Sequence, residues 1–149
     1  MDFFSELVDN RILITALTGW LIAQIFKVIL SLIVERKLDF SRFTGAGGMP
    51  SSHSALVMAL AVAVGRSMGF GSVQFAIAFV FAGVVMYDAS GVRRAVGQQA
   101  KILNMMVEHW QDDDIEFMNK KLKELLGHTP VEVFAGAILG IMIAVIMPI

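Results

Sequence analysis

The sequence predicts an all-α integral membrane bundle of about four apolar helices, joined on one membrane face to a cytoplasmic amphipathic helical segment. Three observations lead there. The composition is too apolar for an ordinary soluble domain, with a mean hydropathy of +0.71, 56% hydrophobic residues and only 17% charged ones in a chain of 149. The apolar residues gather into four segments, Ile12–Val34, roughly 53–68, roughly 72–87 and 131–149. The first of these runs for 23 residues with one charge, Lys27, and as a helix it spans about 35 Å.

Taken in order, the N-terminus (Met1-Asp2-Phe3-Phe4-Ser5-Glu6) is acidic and lacks the basic region of a cleaved signal, so Ile12–Val34 reads as a spanning helix. The next two segments are shorter than the usual twenty residues, with Arg66-Ser67-Met68-Gly69-Phe70-Gly71 as a tight turn between them. Two short spanning helices or one re-entrant hairpin both satisfy them. Either way, residues 35–52 and 88–130 fall on one side of the membrane and both termini on the other. That side carries Arg36, Lys37, Arg42, Arg93, Arg94, Lys101, Lys120, Lys121 and Lys123, against Arg11 and Arg66 opposite. The bias places that side in the cytoplasm. No linker interrupts residues 1–149, which read as a single membrane domain.

The loop from 88 to 130 is amphipathic rather than spanning. Ile115, Met118, Leu122, Leu125 and Leu126 share a helical face, with Lys120, Lys121 and Lys123 elsewhere on the same turns. Asp112-Asp113-Asp114 reads as the N-terminal cap, in preference to a metal site, and Gly127 as the stop. Such a helix either lies on the membrane interface near anionic headgroups or packs on the cytoplasmic ends of the bundle.

Two polar motifs precede apolar runs. One is Gly47-Gly48-Met49-Pro50-Ser51-Ser52-His53-Ser54; the other is Gly127-His128-Thr129-Pro130-Val131-Glu132. Each puts a histidine at the start of a helix, where unpaired N–H groups and the macrodipole attract anions. His53 suits a general acid or base, because imidazole titrates near neutrality; its plainer use is to satisfy a helix end. Ser51 and Ser52 are candidate caps. Thr129-Pro130-Val131-Glu132 is a capping box with proline at the first helical position, which alone accounts for Thr129 and Glu132. Glu132 could also turn back to His128 and fix its tautomer. Arg93 and Arg94, after Tyr87-Asp88-Ala89-Ser90-Gly91-Val92, suit bidentate phosphate binding but equally mark topology. Lys27 inside an apolar helix is a candidate anion ligand. With no cysteine, thiol nucleophiles, thiolate metal sites and disulfides are excluded.

Pro50-Ser51-Ser52-His53 resembles the Pro-Ser-Gly-His motif of the type 2 phosphatidic acid phosphatase superfamily, which includes vanadium-dependent haloperoxidases. His128-x-x-x-Glu132, with Ala135-Gly136-x-x-Leu139-Gly140 after it, resembles that superfamily's last motif, His-x-x-x-Asp. With Tyr87-Asp88-Ala89-Ser90-Gly91-Val92-Arg93-Arg94 and Leu126-Gly127-His128-Thr129-Pro130, nearly the whole chain resembles a divergent branch of that superfamily. The resemblance implies a membrane phosphatase acting on a lipid phosphomonoester or pyrophosphate through a phosphohistidine. His128 would be the nucleophile, Glu132 its orienter and His53 the general acid. Ser51, Ser52, Arg93, Arg94, Lys27 and Asp88 would surround the substrate phosphate, with no metal or other cofactor and no nucleic acid. Four features depart from the pattern: Ser52 replaces glycine, Glu132 replaces aspartate, Lys121-Leu122 stands where Ser-Arg is usual, and only Lys27, or Lys37 with Arg42, offers a counterpart to the first motif. Four helices rather than six suggest a homo-oligomer, with Gly136-x-x-x-Gly140 as a packing face. The competing reading is a non-catalytic membrane protein that binds phospholipid headgroups or supports a membrane assembly.

Overall fold

The structure, a computed structural model, describes residues 2–35, 48–109 and 127–149, and these are helical with no strand. The helices are α1 (Phe3–Asp9), α2 (Arg11–Glu35), α3 (Ser52–Met68), α4 (Val73–Ser90), α5 (Val92–His109) and α6 (Pro130–Ile146). The four apolar segments of the sequence are α2, α3, α4 and α6, and α5 is strongly amphipathic. Boundaries move by a turn at most: α4 runs on to Ser90, and α6 stops at Ile146. The short α1 was not foreseen; Asn10 follows it, and its Oδ1 accepts from the Leu13 N–H at 3.0 Å, capping α2. Asp112–Asp114 and the face from Ile115 to Leu126 lie outside the described residues, as do Lys37 and Arg42.

The packing is that of a membrane protein. Nearly all the buried apolar residues are small, among them Ala16, Ala23, Ala55, Ala59, Ala61, Ala63, Ala82 and Ala144. The large ones point outward, including Leu21, Ile25 and Ile29 on α2, Ile77, Val80 and Val84 on α4, and Phe134, Ile138 and Val145 on α6. Water would penalise that surface heavily, whereas lipid tails are as apolar as leucine and small residues let helices approach closely. Arg11–Ile33, and a stretch from Val73 that continues into α5, are each long and apolar enough to cross a bilayer. α3 and α6, with 17 residues each, are about 26 Å long.

α3 is the central helix, and α2, α4 and α6 all pack on it. Its buried positions are Ser52, Ser54, Ala55, Val57, Ala59, Ala61, Ala63 and Gly65. Gly19 of α2 seats against Ala55 and Ala59. Gly136 and Gly140 of α6 lie directly on the backbone of Ser51 and of Ala55, so close that a Cβ at either would collide with a carbonyl oxygen. The glycine pair expected to face another subunit is thus filled within the chain. α3 and α6 run parallel. At one end the Ser51 N–H donates to the Glu132 carbonyl at 3.0 Å; at the other, the Arg66 guanidinium donates to the carbonyls of Ala144 and Met147. The sequence offers Arg66 as a topology charge and as part of the turn, and the structure puts it in the last turn of α3. Between α3 and α4, Gly69 at φ +90° and the Ser72 cap, whose Oγ accepts from the Phe75 N–H at 3.2 Å, form the expected turn.

Candidate functional site

Both polar motifs sit at the same end of the bundle. Ser51 caps α3: its Oγ accepts from the Ser54 N–H at 3.4 Å and from the Ser54 hydroxyl at 3.1 Å. Its N–H is committed to Glu132, and the whole residue is buried. Ser51 therefore builds the helix start. Ser52 is the first helical residue, also buried, and its ordinary helical backbone makes no demand for the glycine found there in the related motif. His53 follows and is exposed.

Thr129 caps α6, with Pro130 as the first helical residue. The Glu132 N–H donates to Thr129 Oγ1 at 3.4 Å, and the Thr129 N–H donates to Glu132 Oε2 at 3.1 Å. The same Oε2 lies 3.0 Å from His128 Nδ1. The capping box and the contact with histidine, open alternatives in the sequence, therefore coexist on one carboxylate. A carboxylate can only accept, so Nδ1 is the donor, and in the neutral imidazole the lone pair is left on Nε2. His128 is 4% exposed, and its backbone N–H donates at 3.1 Å to the carbonyl of Ala89, one of the acceptors left over at the end of α4. Three helix ends thus meet at His128 and Ser51.

The rings of His53 and His128 are 6.5 Å apart between centroids and inclined at 59°. A phosphorus atom forms and breaks bonds of under 2 Å on opposite faces, so the two nitrogens flanking one phosphoryl group stand roughly 5–8 Å apart, a separation that rings with centroids 6.5 Å apart can reach. One histidine is buried and oriented by a carboxylate, and the other, across the gap, is exposed.

Lys27 is 3% exposed on α2, and its methylenes lie against Gly48, whose φ of +90° only glycine adopts without strain. A Cβ there would meet Lys27 Cγ at 3.3 Å. The intramembrane lysine therefore joins the loop that leads to His53 through the cis Met49–Pro50 peptide, a neighbour that nothing in the sequence identified. Asp88 is half-buried, one residue before the carbonyl that holds His128. Arg94 is exposed on α5; Arg93 occupies the same helix, and its side chain is outside the described set. Among the described residues no group of three His, Asp or Glu side chains is arranged to hold a metal ion.

The comparison with known proteins matches this arrangement of motifs: the profile of the divergent PAP2 family covers residues 8–143. The chain belongs to that family. It is also 43% identical over 152 residues to the uncharacterized membrane protein YuiD of Bacillus subtilis (strain 168), covering 95% of this chain and 96% of that one. No solved structure matches. Membership agrees with the resemblance carried by His53, His128 and Glu132, and with the inside-out packing of a membrane protein.

Proposed function

We propose that this divergent PAP2 protein is a membrane phosphatase that hydrolyses a lipid phosphomonoester or pyrophosphate through a phosphohistidine. The observation that carries the reading is the pair of imidazoles with ring centroids 6.5 Å apart, with Glu132 on Nδ1 of the buried one. In the first step His128 Nε2 attacks phosphorus, the bond to the lipid oxygen breaks, and protonated His53 gives that oxygen its proton. In the second, neutral His53 takes a proton from water, the resulting hydroxide attacks phosphorus, and the P–N bond breaks to return His128. Glu132 holds Nδ1–H throughout and stabilises the positive imidazole. Lys27 and the first N–H groups of α3 offset charge on the phosphoryl oxygens. Arg94, Arg93 and Asp88 border the headgroup, and Ser52 forms the floor beside the helix start. The apolar outer faces of α4 and α6 accept the lipid tail, and the basic loops face the cytoplasm.

The test is release of inorganic phosphate from phosphatidic acid and from an isoprenyl pyrophosphate by the purified protein in detergent. His128→Ala abolishes release and leaves the folded protein intact. His53→Ala lowers the rate on these alkyl esters by about 10²–10⁴-fold but spares an aryl phosphate, whose leaving group needs little protonation. No release by wild type from either substrate refutes the reading. One observation favours the alternative of a headgroup-binding protein without catalysis: the capping box is complete, so Glu132 has a structural task whether or not chemistry occurs. On that alternative, short-chain phosphatidic acid binds and is not turned over.

A further inference from the structure

Helix α5 differs in kind from the other described helices. Val92, Val96, Leu103 and Met106 recur at helical spacing and are each about half exposed, at 53%, 53%, 48% and 58%. Arg94 and Lys101 lie on the opposite face, also exposed, while Gly97 and Asn104 form a separate buried side. Among the described helices, the principal contacts of α5 are with the end of α4. The described helices thus leave the apolar stripe about half exposed.

Length places this stripe outside the hydrocarbon core. α4 and α5 have 18 residues each, about 27 Å apiece. α4 alone nearly crosses a core of about 30 Å, and Gly91, with ψ −80°, breaks the regular helix between the two. The stripe is also continuous in sequence with the lipid-facing surface of α4, where Val80, Val84 and Tyr87 are exposed. Its charges are mostly of one sign: Arg93, Arg94 and Lys101 against Glu108. An anionic bilayer surface attracts a helix whose polar face is basic. High amphipathicity, low overall hydrophobicity and a basic polar face are the attributes of a helix that lies in the plane of a bilayer surface.

We infer that α5 docks on the anionic surface of the bilayer that holds α2, α3, α4 and α6, with Val92, Val96, Leu103 and Met106 inserted at the headgroup boundary and Arg94 and Lys101 above it. Docking would set the depth of the bundle end, because the Ala89 carbonyl that binds the His128 N–H lies two residues before Gly91.

The chain contains no cysteine, so single-site labelling is clean. Full-length V96C, L103C and K101C, each carrying a bimane label, would be reconstituted into vesicles of phosphatidylcholine and phosphatidylglycerol containing brominated acyl chains. The V96C and L103C labels should be quenched by the brominated lipid at least about twofold more than the K101C label, and less by aqueous iodide. Vesicles without phosphatidylglycerol, or the added changes R94E and K101E in V96C, should reduce that quenching. Equal quenching at all three sites, or stripe labels open to iodide, overturns the inference. So does cross-linking of V96C between two chains in the vesicles, which would assign the stripe to a second copy. Circular dichroism of each labelled protein separates loss of docking from loss of helix.

Discussion

Gly136→Ala is the smallest change that should reach the site from outside it. The added Cβ would point into the backbone of Ser51, colliding with its carbonyl oxygen and lying 3.1 Å from its C and N atoms. None of these is the movable end of a side chain. Relief requires α6 to retreat from α3 by roughly 1 Å to regain ordinary contact. Overpacking of this kind costs about 1–3 kcal/mol, or roughly 2–10 °C in melting temperature for a chain of this size. The retreat also pulls on the Ser51–Glu132 hydrogen bond, the tie between the helix that carries His53 and the helix start that carries His128. A displacement of 1 Å between reacting groups can cost about 10²-fold in rate. Phosphate release should thus fall by about two orders of magnitude at a temperature where the variant remains folded. Gly83→Ala is the control: nothing lies within 4 Å of its Cβ, and alanine is the better helix former by up to about 1 kcal/mol. Gly136→Ala with wild-type melting and wild-type turnover would refute the claim that the α3–α6 contact sets the histidine spacing.

Three other variants separate the roles of neighbouring groups. Glu132→Gln keeps the capping box, so its melting point should change little while turnover falls about 10²–10⁴-fold, because an amide no longer stabilises the positive imidazole; equal activity would leave Glu132 as a cap alone. Lys27→Met retains the stem that packs on Gly48 and removes the charge. The KM for lipid phosphate should rise about 10- to 100-fold with stability held or slightly raised, as measured by initial rates and thermal unfolding. Arg66→Gln loosens the far end of α6, and unfolding should come about 2–4 °C earlier with turnover unchanged below the transition; a large loss of turnover would mean that the two ends of the bundle are coupled.

The parts of this molecule visible in sequence are those fixed by local or bulk properties. Ile12–Val34 is legible because length and hydropathy alone make a spanning helix. The Thr129–Glu132 box is legible because its partners are three residues apart. His53 and His128 could be assigned to one membrane face from the parity of the apolar segments. Their spacing could not, since it depends on which residues of α3 and α6 touch. The glycine pair illustrates the limit: Gly136-x-x-x-Gly140 specifies a close helix contact but carries no mark of whether the other helix belongs to the same chain. Ala89 was equally silent, because any residue supplies a carbonyl. Lys27 was conspicuous as a charge in an apolar helix, yet its neighbour Gly48 is 21 positions away, across a segment with no periodic pattern.

The glutamate in place of the superfamily's aspartate takes on a physical sense in this fold. An acidic residue four positions after a histidine can reach its ring, but here that histidine lies just outside the cap of a helix, and the acidic residue is the third of that helix. A carboxylate at this position that also closes a capping box must return past the cap to the Thr129 N–H, and glutamate is the acidic residue that the box favours. One oxygen of Glu132 then serves both the Thr129 N–H and His128 Nδ1, while its main-chain carbonyl holds Ser51. Helix stability, the orientation of the buried imidazole and the tie to the second histidine converge on a single residue. Aspartate at 132 would offer the same two donors a carboxylate one methylene shorter, at a position where the box favours glutamate. The residue that looks like a departure from the motif is therefore the one suited to a helix start of Thr-Pro.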